Sequence, residues 1–320
     1  MVDNEGDIKN DIFTIVQDFL ENPPLIVWGS GATIPFGLPS MEDLNAQIKE
    51  KIDNFDESNA NLETELGKDK YEKKMPKIKG VIWDAVNQAD ISVLEKIISN
   101  NTNDFNGIAK MIKKFIETHP QVVNIITTNY DRVLEHVMSY NDISFTDGFN
   151  GKTLSIFDDT QFKDNKIVNL VKVHGSLNWF DINGETRFLP SVSENKIPKI
   201  IIPSKNKFEE AYDSPYRELI QKSDNLIKDA NSFLIVGFGF NDKHLTPKIK
   251  KKIQNGAPIV LITKNVSPNS FKVLKDAKKN ILFEGSKNGK TKVTYKKDSE
   301  SKEVELNGNF WKLNKFMEIL

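Results

Sequence analysis

The chain has 320 residues and a formal net charge of -1, with 44 Lys and Arg against 45 Asp and Glu. That length supports one large core, as a nucleotide-binding unit with an insertion or as two domains, and the charge balance gives no general attraction to nucleic acid or to an anionic membrane. Cysteine is absent, which excludes disulfides, a cysteine nucleophile and thiolate zinc sites. His119, His136, His174 and His244 are too scattered for a metal-ligand pattern, so no metal is expected. No apolar run is long enough to span a membrane and the first ten residues are polar and acidic, so a cytosolic protein is expected.

In chain order, residues 8–20 carry apolar side chains at helical spacing, and Asn22-Pro23-Pro24 stops them. Leu25-Ile26-Val27-Trp28 reads as a buried parallel strand that runs into Gly29-Ser30-Gly31-Ala32-Thr33. Glycines there let backbone donors approach phosphate oxygens, and they serve a plain tight turn equally well. The continuation Gly37-Leu38-Pro39 prescribes a shaped loop, with Ser40 as the cap of a helix from Met41. Residues 41–119 are helical in pattern and rich in charge, with a break at 54–61 and apolar stripes through Leu94, Ile97 and Ile98, then Ile108, Met111, Ile112 and Phe115. This insertion is either a small module over a ligand crevice or an outer helical layer.

Val122-Val123-Asn124-Ile125-Ile126 is the next buried strand, and it delivers Thr127-Thr128-Asn129-Tyr130-Asp131 to a strand-to-helix junction. The amide of Asn129 can donate to a ribose hydroxyl and accept from a positioned water, or simply hold a turn. Asp131 either caps the following helix or orients a ligand, and His136 on that helix reads as an ordinary packed or solvated histidine. Residues 167–173 form a strand ending at His174-Gly175. His174 suits a general acid or base near neutral pH, although a strand-end histidine also satisfies backbone groups. Leu177-Asn178-Trp179-Phe180 begins a lobe, and Pro203-Ser204-Lys205 is a turn in which Lys205 is expected to be solvated rather than on a phosphate. After a helix near 212–229, Phe233-Leu234-Ile235-Val236 leads into a second glycine turn, Gly237-Phe238-Gly239. Pro258-Ile259-Val260-Leu261-Ile262 leads to Thr263-Lys264-Asn265, where Asn265 is either a ribose ligand or a loop amide. The tail carries a short hairpin near 303–306 and a terminal helix over 310–320 with an apolar side that docks on the core or on a partner.

The strand-ended signals, in this order, resemble the Sir2 superfamily, especially bacterial Sir2-like proteins of phage defence. The resemblance covers residues 25–265. Its first glycine motif corresponds to Gly29-Ser30-Gly31-Ala32-Thr33 with Gly37-Leu38-Pro39, its Thr-Gln-Asn-Ile-Asp segment to Thr127–Asp131, its histidine-glycine to His174-Gly175, and its late glycine turn to Gly237-Phe238-Gly239. Thr263-Lys264-Asn265 is similar to its adenosine-side motif. Two departures stand out. Ser40-Met41-Glu42 replaces the Asp-Phe-Arg of protein deacylases, so Ser40 stands where a carboxylate is expected near the nicotinamide carboxamide, and the four-cysteine zinc module is missing.

The resemblance implies an α/β fold with a Rossmann-like, mostly parallel sheet and an inserted helical module. Residues 1–40 would begin the core, 41–120 form the insertion, 121–280 complete the core, and 281–320 add a hairpin and helix. It implies an NAD+ glycohydrolase that releases nicotinamide and ADP-ribose in abortive infection, with NAD+ as substrate. An NAD-dependent protein deacylase and a nucleotide-sensing subunit of a defence assembly are the alternatives. Asn129 and His174 would act on the ribose or on water, and Asp131 would orient their loop. Gly29, Ser30, Gly31, Thr33, Leu38, Pro39 and Ser40 would contact the dinucleotide from the first motif. Thr128, Gly237, Phe238, Gly239 and Asn265 would do so from the later strands. A homo-oligomer is implied, together with a HerA-like ATPase, a TIR-domain enzyme or a short Argonaute system as partner.

Overall fold

The run Leu25–Trp28 is strand β1, and each of its four side chains is buried. Ile26 and Trp28 join one core, while Leu25 and Val27 join another on the opposite sheet face. This is why a central parallel strand reads as an unbroken apolar run. The computed structural model describes residues 5–56, 62–190, 198–202, 212–297 and 300–320. The turn read at Pro203-Ser204-Lys205 and most of the break at 54–61 lie outside these residues.

Strands β2 (Val122–Thr127), β3 (Phe145–Thr146) and β4 (Ile167–Lys172) lie on one side of β1, and β8 (Phe233–Val236), β9 (Ile259–Thr263) and β10 (Asn280–Gly285) on the other. All of these pair in parallel. The hairpin β11 (Lys290–Lys297) and β12 (Glu300–Asn307) adds two antiparallel strands, giving nine in the order β12-β11-β10-β9-β8-β1-β2-β4-β3. The tail expected as an appended extension is therefore continuous with the main sheet. Across the hairpin Lys290 pairs with Glu305 and Lys292 with Glu303, and along β12 only Leu306 is buried.

Helices cover both faces. Helix α1 (Glu5–Phe19) and the inserted α2 (Met41–Lys51), α3 (Leu62–Leu66), α4 (Met75–Ile98) and α5 (Asn106–Ile116) pack on the face holding Ile26 and Trp28, as does α6 (Val133–Tyr140). Helices α7 (Tyr216–Asp229), α8 (Leu245–Gln254) and α9 (Pro268–Lys275) pack on the other. The cap of α2 follows the sequence reading: Asp43 N donates to Ser40 Oγ, and the Asp43 carboxylate accepts from Ser40 N, a reciprocal capping box.

Two expectations are corrected. The terminal helix is only α10 (Leu313–Phe316), because the buried Phe310, Phe316, Met317 and Ile319 seat an irregular tail on the core rather than one helical stripe. Ile98, read as part of an apolar stripe, is 69% exposed at the last residue of α4. The lobe read at 177–180 is a separate sheet ordered β6-β5-β7, made of β5 (Gly175–Ile182), β6 (Glu185–Phe188) and β7 (Pro198–Ile200). Trp83 of α4 ties the insertion to it, donating from Nε1 to the Leu177 carbonyl at 2.9 Å. Among the described residues no helix is long and apolar enough to cross a membrane.

Candidate functional site

The carboxyl ends of β1, β2, β4 and β8 face one cavity of about 170 Å³, as the geometry of an open α/β sheet favours. Asn129, Asp131 and His174 line it with Ser30, Thr33 and Thr128. Gly237, Phe238 and Gly239 line its β8 side, and Leu38, Pro39, Met41, Leu44 and Val86 make its apolar wall. Met41 and Leu44 belong to α2 and Val86 to α4, so the insertion is part of the cavity wall.

The loop after β2 is held by short-range hydroxyl bonds. Thr127 Oγ1 donates to the Trp28 carbonyl at 2.9 Å and accepts from Asn129 N at 3.0 Å. Asn129 Nδ2 then donates to Thr33 Oγ1 at 3.3 Å, and that hydroxyl lies 3.3 Å from Asp131 Oδ2. Asp131 Oδ1 accepts from Val133 N at 3.3 Å, so the carboxylate both caps α6 and faces the cavity.

His174 lies two residues past the end of β4, and its Nε2 is 3.0 Å from Asp242 Oδ2. Asp242 is itself anchored: its Oδ1 accepts from His244 N at 2.9 Å and Leu245 N at 2.7 Å at the start of α8. A buried carboxylate fixed in this way orients an imidazole and selects its protonated nitrogen. Asp242 lines the cavity and escaped the sequence reading, although it ends the run Gly237-Phe238-Gly239-Phe240-Asn241-Asp242. The local signal for it is an aspartate three residues ahead of a helix start.

The two glycine turns are interlocked. Gly29 N donates to the Val236 carbonyl at 2.9 Å and Gly31 N to the Gly237 carbonyl at 3.0 Å. A Cβ on Gly31 would stand 2.8 Å from Gly237 O, so close backbone approach requires glycine there. Both N–H groups thus serve carbonyls of β8 and its turn, in keeping with the tight-turn reading left open for these glycines. Gly29, Ser40 and Asn265 do not line the cavity. The Ser40 side chain is engaged in the cap of α2, and Asn265 is exposed beyond β9. Gly31 instead borders a second cavity of about 200 Å³, with Trp28, Phe36, Gly237, Thr263, Lys264 and Trp311.

Behind the loop lies a buried charge cluster. Lys172 is fully buried and donates to the Asp131 carbonyl at 2.6 Å and to Glu135. Burial pushes the Asp131 carboxyl up to about 6; Lys172 opposes the rise, while Asp90 and Glu135 add to it. Asp147 is also raised to about 6, first by burial and then by Glu135. A folded-state value above the unfolded one means stability that is present below about pH 4 and lost as pH rises through about 6. Asp131→Asn is therefore expected to stabilise the fold at pH 7.5 by on the order of 2 kcal/mol, with the gain vanishing near pH 4. Thermal melts at the two pH values check this, and an equal shift at both would contradict it. Among the described residues no group of three or more His, Asp or Glu side chains is arranged to hold a metal ion.

No curated protein matches the chain. Solved structures align with it at low similarity, among them these three. One, described as the structural basis for the mechanism and regulation of Sir2 enzymes, is 12% identical, with 97% of this chain and 96% of that one covered and a TM-score of 0.47. A mutant Sir2 homologue in complex with ADP-ribose is 13% identical over 95% of this chain and 94% of that one, with a TM-score of 0.48. A Sir2 homologue in complex with NAD is 14% identical over 80% and 84%, with a TM-score of 0.44. Residues 123–281, which carry Asn129, His174, the second glycine turn and Asp242, match the family described as a SIR2-like domain.

Proposed function

We propose that the chain is an NAD+ glycohydrolase, hydrolysing NAD+ to nicotinamide and ADP-ribose. The observation that carries this reading is that Asn129 and His174, from different strand ends, line one cavity beside Asp131 and Asp242. The nicotinamide ribose would lie there. The second cavity, on the far side of the Gly31–Gly237 contact, would take the adenosine half from Thr263 and Lys264 rather than from Asn265.

In the reaction the bond from ribose C1′ to the nicotinamide nitrogen breaks, and its electron pair neutralises the pyridinium ring. Positive charge builds on the ribose as this happens. The Asp131 and Asp242 carboxylates line the same cavity, where fixed negative charge favours the transition state over the bound substrate. Asn129 would hold a ribose hydroxyl or the water. Water then adds its oxygen to C1′, and His174, oriented by Asp242, would take the proton as general base. Overall NAD+ and water give nicotinamide, ADP-ribose and a proton. The apolar wall from Leu38, Leu44 and Val86 would exclude bulk water from the reacting face.

The test is incubation of the purified chain with NAD+ alone. Steady nicotinamide release is expected; strict dependence on an acylated peptide would replace this reading with deacylation. The defence role, with control by self-assembly or by a HerA-like ATPase, TIR-domain or Argonaute partner, is part of the same proposal. The same assay with the products of neighbouring genes tests it.

A further inference from the structure

We propose that Asp90, on the inserted helix α4, is a positioning residue: it clamps Arg132 and so fixes the loop 129–131 that carries the site. This rests on the reading of that loop as part of an NAD+-cleaving centre. Asp90 is fully buried. Its Oδ1 accepts from Arg132 N at 2.5 Å, and its Oδ2 accepts from Arg132 Nε at 2.9 Å, with a guanidinium nitrogen at 2.7 Å. The Nε2 of His136 lies 3.0 Å from the same Oδ2. His136, read from sequence as ordinary, is thus the third arm of a clamp between two helices.

The placement gives the clamp its consequence. Helix α6 begins at Val133, and Arg132, its N-cap residue, makes no side-chain capping bond. Asp131 accepts from Val133 N, and a carboxylate from another helix, that of Asp90, accepts from Arg132 N, where it also complements the helix dipole. Arg132 follows Asp131 directly. The segment between β2 and α6 is therefore held at both ends, by Thr127 Oγ1 on the Trp28 carbonyl and by Asp90 on Arg132. One turn before Asp90 on α4, Val86 lines the cavity, and Trp83 is bonded to the lobe. A single inserted helix thus touches the lobe, the cavity wall and the loop. Removing one member of a buried, multiply bonded ion pair leaves the other uncompensated, so the loop should loosen before the sheet does.

The experiment compares wild type, Asp90→Ala, Asp90→Asn and Ile97→Val, the last a core trim on the same helix, each checked by thermal melt. In Asp90→Ala, amide exchange at Arg132 and Val133 should rise at least about tenfold while Ile125 and Ile126 keep their wild-type rates. For nicotinamide release, kcat should fall at least about tenfold with KM within about threefold, the signature of lost positioning rather than lost binding. Asp131 faces Asp90 from α4, Glu135 from α6 and Lys172 from β4. Removing the first of these should move the acid limb of the kcat profile to lower pH. Asp90→Asn, of the same shape without the charge, should move that limb in the same direction with a smaller loss of kcat, and it serves where the alanine variant fails to fold. Unchanged exchange at Arg132, exchange raised equally through β2, or a kcat no lower than that of Ile97→Val would each overturn the proposal. Failure of the wild type to cleave NAD+ would end the functional reading, and the Arg132 exchange rate would still decide the clamp.

Discussion

Replacing His174 by alanine is expected to lower NAD+ turnover by about a thousandfold, and Asn129→Ala by about a hundredfold or more. The two losses have different origins. Without His174 the proton of the attacking water has no acceptor beside it, and Asp242 faces an empty place. Without Asn129 the ribose or water loses its amide contact, and Thr33 Oγ1 loses the donor that now lies 3.3 Å away. Asp242→Asn should fall by about a hundredfold, because an amide opposite Nε2 no longer selects the working tautomer. All three variants should melt near the wild-type temperature and still bind NAD+, since each change trims a cavity side chain and leaves the sheet intact. Wild-type turnover in either His174→Ala or Asn129→Ala would remove the proposed site.

The second large effect concerns the fold. Gly237 has φ +60, and a Cβ there would stand 2.1 Å from Ala32 N and 2.4 Å from the Gly31 carbonyl carbon. These are backbone atoms that cannot swing aside as a side-chain tip can. Gly237→Ala must strain a left-handed residue and push apart the two turns that join β1 to β8, so a loss of more than about 3 kcal/mol is expected. Gly80→Ala supplies the contrast. Gly80 lies within α4 and nothing stands within 4 Å of its added methyl, so a gain of up to about 1 kcal/mol is expected there. Urea unfolding of both variants measures the difference. A Gly237→Ala protein as stable as wild type would show that the turns are not in rigid contact.

The legible parts of the molecule were those whose cause is local. Leu25–Trp28 and Phe233–Val236 are apolar throughout, and Val122–Ile126 at every position but Asn124, because both sheet faces are covered; Ser40 is followed three residues later by Asp43, which is enough to announce a helix start. The glycine positions were legible as turns, but their main duty was not. That Gly31 and Gly237 press on each other depends on β1 lying beside β8, two strands far apart in the sequence. The partners of the site side chains were hidden for the same reason. Asp242 lies 68 residues from His174, and Asp90 lies 42 from Arg132 on a helix whose charges look like a solvated face. The terminal helix was overread because Phe310, Phe316, Met317 and Ile319 supply apolar content without a single stripe.

The hairpin that closes the nine-stranded sheet also limits how copies of this chain can meet. Its outer strand carries Glu300, Lys302, Glu303 and Glu305 in exposed positions, and a charged border of this kind resists recruitment of a further strand from a neighbour. The opposite border, β3, is two residues long and offers too little ladder for such an addition. Any assembly of copies would therefore have to use surfaces other than these two sheet borders.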